Sequence, residues 1–246
     1  MHIVFANPKG GAGKTTCCAA IATSLAIAGD KVLVLELDPR RHFERLARKI
    51  ELPSLSIEAV TPDAFTDRFR DARTEGAFDH ILVDTAGIRD TTFLHAIARA
   101  DLVVIPLIPG EQELHEVVVV ARDITDLAES ANRPPIPFRV LLTRLHHLAS
   151  SLQTHILAEV RRLGLPRFEA AFFDRVSYRE VFMTGLPAEQ REPAAGAGPE
   201  IRAVIAEIKA IEAASHGPTD NAQTTTNQTG AGQGGRTGTR TRRRAA

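Results

Sequence analysis

Residues 7–16 read NPKGGAGKTT, a stretch with two lysines, three glycines and a pair of threonines. Gly13, Lys14 and Thr15 close the phosphate-loop pattern G-x-x-x-x-G-K-[ST], but Pro8 stands where its first glycine belongs, and Lys9 follows at once. Glycines at 10, 11 and 13, with Ala12 between them, let a backbone curl closely around an anion. A helix starting near Lys14 adds its exposed N–H groups and the positive end of its dipole. In this reading Lys14 reaches the β- and γ-phosphates of a nucleotide, the Thr15 hydroxyl binds Mg²⁺, and Thr16 donates to a more distal phosphate oxygen. Lys9 has no place in that pattern.

A phosphate loop leaves the metal half held, so a carboxylate is expected at the end of another strand. FDHILVDTAG supplies Asp84 after four apolar-rich positions, with Thr85, Ala86 and Gly87 turning the chain away. VLVLELDPRR offers a second acid, Asp38. Two compatible roles stand for it: orienting an attacking water or the metal's water shell, and capping a helix that begins near Pro39 or Arg40. Glu36, two positions earlier, reads equally well as an ordinary partner for an arginine.

These side chains need a frame. Short, continuously apolar runs at 2–6, 32–37, 80–84, 102–106 and 138–143, and less clearly 55–60 and 168–172, alternate with segments of helical length at 14–28, 111–131 and 150–163. Strands without polar alternation are covered on both faces, and strand–helix–strand repetition means right-handed crossovers. The expected fold class is α/β, a doubly wound, mainly parallel sheet flanked by helices, with ligands at the carboxyl ends of the strands.

Charge and composition narrow the rest. The formal net charge is zero, yet Arg236, Arg240, Arg242, Arg243 and Arg244 face a single acid, Asp220, in the last 32 residues. The first 214 residues therefore hold 25 basic and 29 acidic side chains, and overall charge does not announce nucleic-acid binding. Residues 1–214 are expected to form one domain and 215–246, which offer almost nothing to bury, a disordered tail with a basic end. Cys17 and Cys18 are badly placed for a disulfide or metal site and read as small packed residues. No signal-peptide pattern and no apolar run of bilayer length is present, so a cytoplasmic location is expected.

At this point the residues resemble the ParA/MinD family of ATPases, which carry a deviant Walker A motif. The resemblance covers roughly residues 1–212 and rests on KGGAGKTT at 9–16, LELDP at 35–39, ILVDTAG at 81–87, ADLVVIP at 100–106 and RVSYREVFMTG at 175–185. It implies a P-loop NTPase of the SIMIBI, ParA-like type, most similar to the small proteins of plasmid partition or DNA transfer. It makes Lys9 the signature lysine that reaches the phosphates of the neighbouring subunit, Asp38 the acid needed for hydrolysis, and Asp84 the Walker B acid. ATP and Mg²⁺ are the implied cofactors, and ATP acts as a dimerisation ligand. The family's usual asparagine for adenine is replaced here by Thr143 and Arg144, which could bond to and stack on the base. Ala86-Gly87 replaces a frequent Pro-Pro and gives a looser turn.

The implied activity is slow, partner-stimulated ATP hydrolysis by a homodimer that binds DNA nonspecifically and drives plasmid or chromosome segregation. A ParB-like or other adaptor is the expected stimulator, and the nucleoid the expected location. The alternative is the same engine positioning a DNA-transfer complex or a protein cargo. For DNA contact, nine arginines against five acids from 133 to 191 single out Arg161, Arg162, Arg175 and Arg179. A membrane role in the manner of MinD would need an amphipathic C-terminal helix, and the tail has no large apolar residue.

Overall fold

The computed structural model describes residues 1–191 and 196–215. Six strands, β1 (His2–Phe5), β2 (Val32–Glu36), β3 (Leu55–Ala59), β4 (His80–Asp84), β5 (Leu102–Leu107) and β6 (Phe138–Leu142), form one sheet in the order β3-β2-β4-β1-β5-β6. Every pairing is parallel, as the unbroken apolar runs require. The helices are α1 (Lys14–Ile27), α2 (His42–Ala47), α3 (Pro62–Glu75), α4 (Thr91–Ile97), α5 (Glu111–Ser130), α6 (Ser151–Arg162), α7 (Ser177–Thr184), α8 (Ala188–Arg191) and α9 (Ala197–Ser215). The expected strand at 168–172 forms only isolated bridges at Arg167 and Phe173. Its amides at Phe168 and Phe172 donate to Val140 and Leu142 of β6, but the intervening residues leave the sheet.

Alternate residues of the buried strands feed two cores. Val4, Leu33, Val83 and Val103 pack with Phe65, Phe69, Val117 and Val160 on one face. Ile3, Phe5, Val34 and Leu82 pack with Cys17, Cys18, Ile21, Phe43 and Ile201 on the other. Phe65 and Phe69 lie one helical turn apart on α3 with ring centroids 5.7 Å apart, and neither is more than 1% exposed. Truncating either to alanine removes about 3–5 kcal/mol by cavity formation. Both cysteines are free and buried within the second core, and burial pushes their thiols up.

β1 is central, so its carboxyl end delivers the glycine-rich loop between the loops that follow β4 and β5. The Asn7 side-chain amide donates to the Pro106 carbonyl at 3.0 Å, and the Thr85 hydroxyl donates to the Phe5 carbonyl at 2.8 Å. The three loops are thereby tied together. The expected tail falls almost wholly outside the described residues, beginning at 216.

Candidate functional site

The loop from β1 into α1 takes the form its glycines allow. Gly11 (φ 79°) and Gly13 (φ 98°) occupy the left-handed region, and Gly13 is the residue just before α1. The Lys9 amide is held by the Asn7 carboxamide oxygen at 2.9 Å, and the Lys14 ammonium folds back to the Lys9 carbonyl at 3.3 Å. Lys14 is buried; desolvation lowers its pKa, while Asp84 and Asp38 act in the opposite direction.

Asp84 ends β4 with no exposed surface. Its Oδ2 accepts the Thr15 hydroxyl at 2.8 Å, and its Oδ1 has no partner among the described residues. Burial pushes its carboxyl up to about 7, against the opposing effects of the Thr15 hydroxyl and Lys14. A fully buried carboxylate with one orphaned oxygen is electrostatically costly unless a cation completes it. Thr15 and Asp84, expected to share a metal, are thus in direct contact.

Asp38 is half-buried just beyond β2, and its Oδ1 accepts the Arg40 amide at 2.9 Å. This turn replaces the expected helix cap. α2 starts only at His42, and its first amides are claimed by Glu36, whose two oxygens accept from Phe43 N at 2.8 Å and Glu44 N at 3.0 Å. Glu36 is therefore a buried helix cap rather than an arginine partner, because the chain doubles back over it.

A cavity of about 350 Å³ opens along the loop, lined by Gly10, Gly11, Ala12, Gly13, Lys14, Thr15 and Thr16 together with Asp38, Arg40 and Arg144. Gly87 was the residue least visible as functional. A Cβ there would lie 3.3 Å from Gly10 Cα and 3.7 Å from Lys14 Nζ, so the turn after Asp84 is closely packed on the phosphate loop rather than loose. Thr143 does not line this cavity: it is 4% exposed beside Gly13, its hydroxyl has no partner among the described residues, and it lines a smaller adjoining pocket with Thr16 and Arg144. Arg144, at φ 53°, borders the cavity and is exposed.

Lys9 points away from this cavity. Its ammonium contacts Glu113 Oε1 at 2.5 Å and Gln112 Oε1 at 3.2 Å on the first turn of α5. Of the arginines singled out for DNA, Arg162 pairs with Glu159 at 2.7 Å, Arg175 with Glu200 at 2.6 Å and Arg179 with Asp174 at 3.7 Å. Arg161 is exposed and has no ion pair among the described residues.

The family model described as ATPase MipZ matches residues 1–111. Protein ParA of Rhizobium radiobacter is 29% identical over 186 residues, covering 74% of this chain and 82% of the relative. The maintenance of carboxysome distribution protein A of Gloeobacter kilaueensis is 27% identical over 190 residues, covering 75% of this chain and 82% of the relative. The solved MinD cell division protein of Aquifex aeolicus shares the fold, with a TM-score of 0.65 and 21% identity over 85% of this chain and 97% of that one. With an all-parallel sheet, a glycine-rich loop carrying two lysines, and a buried acid bonded to the loop threonine, the chain is similar in sequence and fold to the ParA/MinD ATPases.

Proposed function

We propose that this chain is an ATP-dependent dimerising ATPase that binds DNA nonspecifically and drives plasmid or chromosome segregation. The observation that carries the proposal is the division of labour between two lysines of one loop. Lys14 lines the cavity near Asp84, and Lys9 lies outside it against Glu113, where a phosphate carried by a second subunit would meet it.

The residues present fit a magnesium nucleotide. The cavity is of ligand size, the left-handed glycines leave backbone N–H groups free to converge, and the orphaned Asp84 Oδ1 beside the Thr15 hydroxyl is a hard-oxygen site for a divalent cation. Bound Mg·ATP supplies the phosphoanhydride bond that is hydrolysed. Gly10 to Gly13, Lys14, Thr15 and Thr16 hold the phosphates, Thr15 and Asp84 hold the metal with Asp38 near its water shell, and Arg144 covers the base. Lys9 neutralises the partner's phosphates, which makes the dimer depend on ATP. Asp38 orients the attacking water. Residues 1–214 form the catalytic unit, with a basic tail beyond it; hydrolysis is slow until a ParB-like or other adaptor engages, and the protein works in the cytoplasm on the nucleoid. Among the described residues no helix is long and apolar enough to cross a membrane.

A second reading, the same engine positioning a transfer complex or a protein cargo, draws on the relative named for carboxysome distribution. One experiment tests the DNA step: titration of duplex DNA with ATP, with ADP and without nucleotide, at two salt concentrations. Binding that requires ATP, weakens with salt and ignores sequence supports segregation. DNA binding absent in all three states overturns it in favour of a protein cargo.

A further inference from the structure

Arg40 stands out among the cavity's side chains because nothing in the phosphate-loop pattern calls for it. The Asp38-Pro39-Arg40 turn leaves the carboxyl end of β2 with its backbone held from both sides. The Arg40 amide donates to Asp38 Oδ1 at 2.9 Å, and its carbonyl accepts from Arg45 Nη2 at 3.0 Å. Pro39 fixes the intervening torsion. The guanidinium itself has no carboxylate at ion-pair distance among the described residues, although Arg48, Arg68 and Arg89 nearby in sequence or fold all have one. An exposed arginine on a pinned backbone, facing a cavity and unpaired, is ready for an anion.

Its place in the cavity says which anion. Arg144 borders the end beside Gly13 and Thr16, where a smaller pocket also begins. Arg40 and Asp38 line the same cavity as Lys14 and Gly87; the Lys14 ammonium lies 3.7 Å from where a Gly87 Cβ would sit, and the Arg40 charge opposes protonation of Lys14. Lys14 and Arg40 thus bring two cations to one cavity. The lining carries Lys14, Arg40 and Arg144 against a single acid, Asp38.

We propose that Arg40 grips the terminal phosphate of a nucleoside triphosphate bound in its own subunit, and so lets the chain distinguish triphosphate from diphosphate. The proposal rests on the nucleotide reading above. Arginine suits the task because its planar fork makes two parallel bonds to phosphate oxygens, and the pinned backbone reduces the entropy lost in making them.

The test is calorimetric binding of AMPPNP and of ADP, each with Mg²⁺, to wild type, Arg40→Gln, Arg40→Lys and Lys14→Ala. Arg40→Gln is expected to fold and melt like wild type and to lose about tenfold or more in AMPPNP affinity, with ADP affinity changed less than about threefold. Arg40→Lys falls between, since it keeps the charge and loses the fork. Equal losses for both nucleotides, or no loss, overturn the role of Arg40 alone. Wild type that binds neither nucleotide, or Lys14→Ala that binds AMPPNP normally, overturns the nucleotide reading and the proposal with it.

Discussion

Lys9 Nζ and Glu113 Oε1 lie 2.5 Å apart, so the outer lysine of the phosphate loop is held by the first turn of α5 in its own chain. Lys9 in turn pulls the Glu113 carboxyl below its usual range. A lysine that serves a second subunit must leave this partner. Glu113→Gln should therefore favour the ATP-dependent dimer by about threefold, the worth of a half-exposed ion pair. Gly110→Ala should act in the same direction, because a Cβ there would meet the Glu113 carboxylate and displace it. Lys9→Gln should abolish the dimer while sparing nucleotide binding by the monomer. Light scattering with and without ATP checks all three; an unchanged dimer in Lys9→Gln removes the trans role.

Lys14→Ala should reduce nucleotide affinity by about 100-fold or more, since the side chain is the buried cation of the cavity lining. Fluorescent-nucleotide titration measures it. Retained binding would leave the loop without its assigned purpose.

Asp38→Ala should trap an ATP-bound dimer with turnover lowered about 100-fold. Phosphate release and light scattering on one sample separate the two effects. Normal turnover would reduce Asp38 to what its geometry already shows, the acceptor of the Arg40 amide.

Gly185→Ala should destabilise the fold by about 2 kcal/mol or more without altering the phosphate loop. Gly185 ends α7 at φ 74°, and a Cβ there would strike the Lys49 carbonyl. The same Lys49 caps α7 through its ammonium, which donates to the Phe182 carbonyl at 2.8 Å. Thermal melting gives the loss, and a melt equal to wild type would contradict the packing of α7 on α2.

His80 supplies a pH dependence. It is 5% exposed at the start of β4, and burial, with help from the N-terminal ammonium and Lys209, holds its pKa below the ordinary 6.5, against Glu212 and Asp30. The native state takes up this proton less readily than the unfolded chain. The contribution to stability is complete above about pH 6.5 and is lost as pH falls below it. Melting at about pH 7.5 and about pH 5.5 should drop less in His80→Gln than in wild type. Equal drops would show that His80 does not titrate in this window.

The parts of this molecule that are local in sequence were legible there. Continuous apolar runs placed the six strands within a residue or two, and α1, α5 and α6 followed from their length and spacing, whereas the Ser150 cap, whose hydroxyl accepts the Gln153 amide at 3.1 Å, was not read. Lys14, Thr15 and Asp84 were readable because motif spacing encodes their convergence. Most of the misses are contacts made by chain reversal or across long separations. Glu36 caps α2 only because the turn at Pro39 brings Phe43 back over it. Glu113 is separated from Lys9 by 104 residues, and no pattern links them. Gly87 resembled a loosened turn, since its close approach to Gly10 exists only once β1 and β4 pair. The segment 168–172 has strand-like residues but follows β6 at the sheet edge, where Arg167 and Phe173 alone bridge.

The parallel order of the sheet also sorts the surface into two kinds of ground for mutation. The loops that follow strands, among them 6–13, 37–41, 85–90 and 143–150, lie at the cavity end of the sheet, and those that precede strands, among them 28–31, 76–79, 98–101 and 131–137, lie at the far end. Sequence drift at the far end should register chiefly in how readily the protein melts. Drift at the near end should alter the cavity as well, and should also reach the melting curve wherever it breaks a tie such as Asn7 to Pro106.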